Sequence, residues 1–387
     1  MDRRKFIWLC FGTGTACTSV WLLDKFFLEN SIENILNEMP AENSNLSSVA
    51  VEKLKEAMFY DKLENKRIKC TTCFRKCVVS NGGKGFCRVR LNKDGRYYSA
   101  VYAQPSAVHI DPVEKEPQHH FLPGTEILCL GTTGCNFTCR HCHNWHLSQA
   151  NPGDLQTYDL PPDKVVELAI KKKIPTISFT YNEPTVFYEY VYDIANLGKS
   201  KGVRILWHSN GGMEANALKT LLKYTDGVTI DLKGFTKKAY DNSSAKLEPV
   251  LETIKTIKQE GVWLEIVNLV IPTINDEPEN IRRMCEWIKE NVGVETPLHF
   301  SRFFPNYKLT NVAATPISKL ETAYKIARDV GIHYITIGNV PGHENNSTFC
   351  PGCNKRIIHR KHFQVLNNGI EEGKCKFCQH KIPGVWS

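Results

Sequence analysis

The chain has 387 residues, 42% of them hydrophobic and 23% charged, which is enough to bury a full core and too ordinary a balance for a disordered or fibrous protein. Its net charge of +8 comes from scattered lysines with small clusters at Lys171–Lys173 and Arg356–Lys361. These read as solvated surface, and without a concentrated basic face carrying aromatics no nucleic-acid partner is expected.

The amino terminus, Met1-Asp-Arg-Arg-Lys-Phe-Ile-Trp-Leu9, sets twin arginines before an apolar stretch from Phe6 to Leu23. That order is the one a twin-arginine (Tat) export signal requires. No A-x-A cleavage site follows, and the stretch is just long enough to span a bilayer. Residues 1–27 therefore read as an export signal or membrane anchor, and the basic residues ahead of the stretch place the body outside. A cytoplasmic chain with a basic, apolar start is the alternative. Residues 28–60 read as a polar linker.

Fifteen cysteines would mean disulfides in a small secreted chain, but here most fall into three compact groups at metal-ligand spacings. Cys10, Cys17, Cys129 and Cys285 are left over, and Cys129 and Cys285 lie in apolar patterns that suit core packing. The first group lies in residues 61–122: Cys70-Thr-Thr-Cys73-Phe-Arg-Lys-Cys77, then a glycine-rich run to Cys87. Four soft ligands so close together suit zinc or an auxiliary iron–sulfur cluster. In an exported domain two disulfides would also serve. The second group is Gly134-Cys-Asn-Phe-Thr-Cys-Arg-His-Cys-His143, with Cys135, Cys139 and Cys142 on one tight loop. Electron-transfer clusters of the 4Fe–4S type take four cysteines, so a local set of three leaves one iron open for a substrate or cofactor. Zinc favours paired knuckles, which a lone trio fits poorly.

From Ile127 to Val340 short apolar runs alternate with helical patterns, the mark of repeated β-α units around a parallel sheet. Strand candidates are Ile127–Leu130, Thr176–Thr180, Arg204–His208, Gly227–Leu232, Trp263–Ile271, Leu298–Phe303 and Tyr334–Ile337. Six or seven strands predict an α/β fold of partial-barrel type over residues 123–343. Barrel sites form at strand carboxyl ends, and the motifs cluster there. The cysteine loop follows the first strand, Asn182-Glu-Pro-Thr185 the second, Ser209-Asn-Gly-Gly212 the third and Asp231-Leu-Lys233 the fourth. His299, Ser301 and Arg302 occupy the sixth, and Gly338-Asn-Val-Pro341 ends the last. Each also makes a good turn or ion pair, and position on one rim is what favours function.

The third group lies in residues 344–387, where Cys350-Pro-Gly-Cys353 and Cys375-Lys-Phe-Cys378 form two knuckles. This is a strong zinc-ribbon signal, and such a ribbon is usually structural because the metal folds a segment too small to hold itself. Four cysteines complete the site, so the intervening His359 and His362 read as surface.

The spacing of the trio is identified as that of the radical S-adenosylmethionine (SAM) superfamily. Leu130-Gly-Thr-Thr-Gly-Cys-Asn-Phe-Thr-Cys139, Phe179-Thr-Tyr-Asn-Glu-Pro-Thr185 and the ribbon resemble the AmmeMemoRadiSam system radical SAM enzymes, which are similar to pyruvate formate-lyase activating enzymes. The likeness runs from about Lys69 to Trp386 and departs at His143, where the family has glutamine. It implies a partial (β/α)6-type barrel holding a 4Fe–4S cluster and SAM. Glu183 would stand at the acidic end of the family's GGE-like motif and bind the methionyl ammonium, with Asn182 and Thr185 assisting. Asn210 would approach the ribose or carboxylate, Asp231 and Lys233 would contact SAM or substrate, and Gly338 and Val340 would lie beside the adenine. The implied chemistry is reductive cleavage of SAM to a 5′-deoxyadenosyl radical, fed by a low-potential electron donor. The implied partners are Memo-type and AMMECR-type proteins, or a glycyl-radical enzyme. A non-enzymatic iron–sulfur electron carrier is the remote alternative.

Overall fold

A computed structural model describes residues 54–387, together with the short strand Ala41–Glu42, which pairs antiparallel with Thr157–Tyr158. The expected export signal, Cys10 and Cys17 lie outside the described residues. Among those described, no helix is long and apolar enough to cross a membrane.

The body is one open sheet whose eight strands lie side by side in chain order. They are β1 (Ala107–Pro112), β2 (Glu126–Gly131), β3 (Thr176–Phe179), β4 (Arg204–Ser209), β5 (Gly227–Asp231), β6 (Trp263–Val270), β7 (Leu298–Arg302) and β8 (Ile335–Gly338). From β2 onward all pairing is parallel. Between those strands run α1 (Pro162–Lys171), α2 (Tyr188–Ser200), α3 (Ala215–Leu222), α4 (Leu247–Gln259), α5 (Pro278–Val292) and α6 (Ile317–Val330). A parallel strand covered on both faces must be apolar nearly throughout, and the four residues of β3 are all buried. The helices instead bury one stripe: α5 buries Ile281, Met284, Cys285, Ile288 and Val292, the three-and-four spacing of a single helical face. Cys285 and Cys129 are core residues, as expected.

All seven expected strands are present, and the structure adds an eighth. Strand β1 pairs antiparallel with β2 and starts the sheet at Ala107, ahead of the expected boundary at residue 123. Its terminal Pro112 lacks a donor and is tolerated at a sheet edge. The expected linker also shortens, because Lys55–Glu56 already pairs with Tyr98 and Ser99 of the cysteine-rich module.

That module consists of two small antiparallel sheets. It is riveted to the barrel by Arg90, whose guanidinium meets Glu189 of α2 at 2.7 Å with both side chains out of solvent. Arg90 also donates to the Val186 carbonyl, and Glu189 accepts the Met58 backbone N–H.

At the opposite end of the sheet, Glu265 accepts from the backbone N–H groups of His119 and His120, the Trp263 indole and the His299 ring. The carboxyl-terminal ribbon joins this base through Arg360, which donates to the His119 carbonyl and to Thr348 and lies 3.7 Å from Glu114. Arg360 therefore leaves the solvated cluster read from the sequence. It sits on the buried face of the strand Arg356–Lys361, and pairing satisfies its charge.

Burial raises the Glu265 carboxyl, yet the His299 hydrogen bond and charge outweigh this and hold it at about 2. Glu265→Ala is expected to lower the unfolding free energy by about 3–5 kcal/mol, read from urea denaturation, because it strands His299 and two backbone donors. An unfolded glutamate titrates near 4.3, so the carboxylate's contribution is complete above that pH. It is lost as pH falls toward 2, and across that window the gap between wild type and Glu265→Gln should narrow.

Candidate active site

The cysteine trio lies on the loop that leaves β2, and its shape is fixed by a neighbouring strand. Asn182, just past β3, accepts from the Thr132 N–H at 3.0 Å and donates to the Thr132 hydroxyl and to the carbonyls of Thr133 and Gly134. One buried amide thus does for the turn Gly131–Gly134 what backbone pairing does for a strand. At Gly134 φ is +86°, and a Cβ would stand 2.6 Å from both the Cys87 carbonyl and the Val89 side chain. The loop is therefore pressed against the amino-terminal module with only hydrogen between.

Cys135 is buried, while Cys139 and Cys142 are half-buried. The Phe137 N–H points at the Cys135 sulfur at 3.3 Å, and the Cys142 sulfur lies 3.3 Å from the Ser148 hydroxyl. Burial pushes the Cys139 thiol up to about 11, against the opposing pull of the Lys233 ammonium. Three buried polar atoms on this loop, the Thr133 hydroxyl, the Asn136 amide nitrogen and His141 Nε2, have no hydrogen-bond partner. Orphaned polar atoms cost about 1–3 kcal/mol each, so the loop is shaped for something the chain itself does not supply. Burial pushes the His141 ring down to about 3.

Glu183 is buried and already heavily engaged. Its Oε1 accepts the Thr185 N–H, the Thr185 hydroxyl and the Ser209 hydroxyl, while Oε2 accepts only the Asn210 N–H at 2.8 Å. Burial raises the carboxyl, and these donors pull against it. Asn210 donates to Asn136 at 2.8 Å and accepts from the Gly212 N–H, so the loop after β4 is tied to the trio's own loop. Asp231 and Lys233 pair at 2.7 Å, and His208 stands 3.3 Å from the same carboxylate oxygen. Burial favours neutral Asp231, but Lys233 and His208 hold it well below the usual carboxylate range. Lys233 is close enough for its charge to act on Cys139 and Cys142.

The structure thus gathers Cys135, Cys139, Cys142, Glu183, Thr185, Asn210, Asp231 and Lys233 at the carboxyl ends of β2 to β5. Gly338 and Val340 stand farther round the rim at the end of β8, where Gly338 is in register with Ser301. His299, included in the same rim from the sequence, belongs instead to the base, bonded to Glu265. Asn182, expected to assist Glu183, has both ends of its amide committed to the turn. His208 and Asn136 were missed as parts of this network, and Ser209, named only as the start of its rim motif, was given no role. His208 and Ser209 carried a usable signal, being the last residues of a strand whose carboxyl end faces the site.

The ribbon cysteines form a centre of another kind. The Cys350 and Cys378 sulfurs are 3.6 Å apart, those of Cys353 and Cys375 are 3.8 Å apart, and all four lie within 4.8 Å of one another. A tetrahedral ion with bonds of about 2.3 Å has sulfur–sulfur edges of about 3.8 Å, so the set fits one metal ion. Burial raises the Cys375 thiol, but the N–H groups of Phe377 and Cys378 more than offset this and bring it down to about 7. His359 is half-buried and His362 exposed, outside this set.

A profile described as "Radical SAM superfamily" matches residues 130–285, which carry both the trio and Glu183. The chain is 42% identical over 337 residues to an uncharacterized protein of Methanocaldococcus jannaschii, covering 86% of this chain and 100% of that one. It is 24% identical over 217 residues to the pyruvate formate-lyase-activating enzyme of Clostridium pasteurianum, covering 51% of this chain and 88% of that enzyme. Among solved structures, a radical SAM methyltransferase from Sphaerobacter thermophilus aligns with a TM-score of 0.45 and 12% identity, covering 73% of this chain and 76% of that one.

Asn182→Ala removes the brace and leaves the Thr132 N–H buried without a partner. It is expected to lower the unfolding free energy by about 1–3 kcal/mol and to loosen the trio's loop, measured by denaturation of the apo chain and by hydrogen exchange at Thr132–Gly134.

Proposed function

We propose that the chain, whose residues 130–285 match the radical SAM superfamily profile, binds a 4Fe–4S cluster through Cys135, Cys139 and Cys142. There it would reductively cleave SAM, and the resulting 5′-deoxyadenosyl radical would take a hydrogen atom from a second molecule. A cluster held by three cysteines supplies an open iron for SAM and the electron that splits its carbon–sulfur bond. The observation that carries this reading is the set of three thiols on a braced rim loop, flanked by orphaned polar atoms and one half-buried lysine.

The chain's own residues orient and shield. Glu183 keeps acceptor capacity on Oε2, suited to the methionyl ammonium, while its other bonds hold Thr185 and Asn210 in place. Lys233 offsets the negative charge that three thiolates bring into a buried site. The half-buried rim and the braced loops limit water at the reacting carbon. The ribbon cysteines Cys350, Cys353, Cys375 and Cys378 are assigned to a structural zinc ion, in keeping with their spacing.

The test is anaerobic reconstitution with iron and sulfide, dithionite reduction in the presence of SAM, and chromatography for 5′-deoxyadenosine. Wild type is expected to produce it and Cys139→Ala to produce none; a reconstituted wild type that produces none sinks the reading. Glu183→Gln should keep its iron content while the Kd for SAM rises about tenfold, the loss of one charge-assisted contact. Lys233→Met, by removing the ammonium whose charge acts on Cys139 and Cys142, should move the cluster's reduction potential to more negative values in a dye-mediated titration.

As to the hydrogen donor, the resemblance to the AmmeMemoRadiSam group favours a substrate handled with Memo-type and AMMECR-type proteins. The identity to an activating enzyme favours a glycyl-radical enzyme. A glycyl signal in electron paramagnetic resonance, after incubation with such an enzyme, selects the second.

A further inference from the structure

The site described above makes no use of Cys70, Cys73, Cys77 and Cys87. Cys70, Cys73 and Cys87 are buried, Cys77 is half-buried, and no disulfide joins them. All four line one pocket, walled also by Arg75, Phe86, Tyr97 and Asn136.

The spread of the four sulfurs distinguishes between their possible ligands. Bonds of about 2.3 Å cannot hold two sulfurs on one zinc ion more than about 4.6 Å apart. The ribbon cysteines meet that limit to within a few tenths of an ångström. Among the described residues, no three of Cys70, Cys73, Cys77 and Cys87 converge within 4.8 Å. They nevertheless line the same pocket. Four thiols that do not converge on one ion, yet line one pocket, suit a larger centre better than a single metal ion.

The surrounding chain is shaped for the same purpose. Lys76 and Arg88 adopt left-handed φ values of +46° and +72°, turning the chain so that its sulfurs face inward. At Gly85 a Cβ would stand 2.4 Å from the Tyr97 hydroxyl and 3.7 Å from the Cys87 sulfur, so this wall of the pocket admits only glycine.

The geometry points to a second 4Fe–4S cluster, held by Cys70, Cys73, Cys77 and Cys87 beside the trio. With four protein ligands it has no open iron, so it belongs to the electron-holding class, and its assembly displaces the four thiol protons. Arg75 links the two sites, since it donates to the Asn136 carbonyl within the trio's loop and walls the pocket of the quartet.

The experiment uses the full chain with Cys135, Cys139 and Cys142 all changed to alanine, reconstituted anaerobically. It therefore reads the second site independently of the catalytic proposal. Iron, sulfide and zinc are counted, and the dithionite-reduced protein is examined by electron paramagnetic resonance. About four irons and about four sulfides per chain, with one zinc, are expected. Adding Cys73→Ala and Cys87→Ala should abolish the iron while the ribbon zinc stays. A second zinc without sulfide, titratable disulfides, or neither metal in the quartet overturns the assignment. Should the triple variant precipitate, wild type is compared with Cys73→Ala/Cys87→Ala: a loss of about four irons per chain in the variant supports a second cluster, and an unchanged count refutes it.

Discussion

Two adjacent side chains at the end of β3, Asn182 and Glu183, carry the constraint on which the rim depends. A parallel sheet fixes its strands but leaves their outgoing loops without partners. These two residues give those loops fixed partners through buried hydrogen bonds: Asn182 clamps the turn leaving β2, and Glu183 clamps the turn leaving β4. Low local dielectric strengthens each bond and raises the cost of losing it. Asn210 then closes the circuit by reaching back to Asn136. Three loops that would otherwise drift are thereby made one rigid frame around the thiols.

Charge is half-buried at the rim and buried at the base of the sheet, and at each end it is held by partners. At the rim the Asp231 carboxylate sits between Lys233 and His208, and at the base Glu265 and Arg360 are satisfied by backbone and side-chain partners. Breaking such a pair costs more than forming it gains, so these networks specify geometry more than they add stability. The base network also explains how a small ribbon becomes part of a larger body: Arg360 gives it an anchor inside the barrel's own polar core.

Much of this was legible in the sequence because periodicity and metal-ligand spacing are local signals. The seven parallel strands, the trio and the ribbon each announce themselves within a few residues. Strand β1 did not, because a single six-residue edge strand ending in proline lacks the repeat that marks its neighbours. Nor did the burial of Arg360, which depends on a strand of alternating exposure meeting Glu114, 246 positions earlier in the chain. The hold of Asn182 on the turn was not legible either, since a side chain that binds backbone looks the same in sequence as one that binds a ligand.

The close approach at Gly134 also makes the amino-terminal module and the barrel depend on each other. With the Cys87 carbonyl and the Val89 side chain against its α-carbon, the trio's loop has part of its wall supplied from outside the sheet that carries it. A chain trimmed to its barrel would lack that wall.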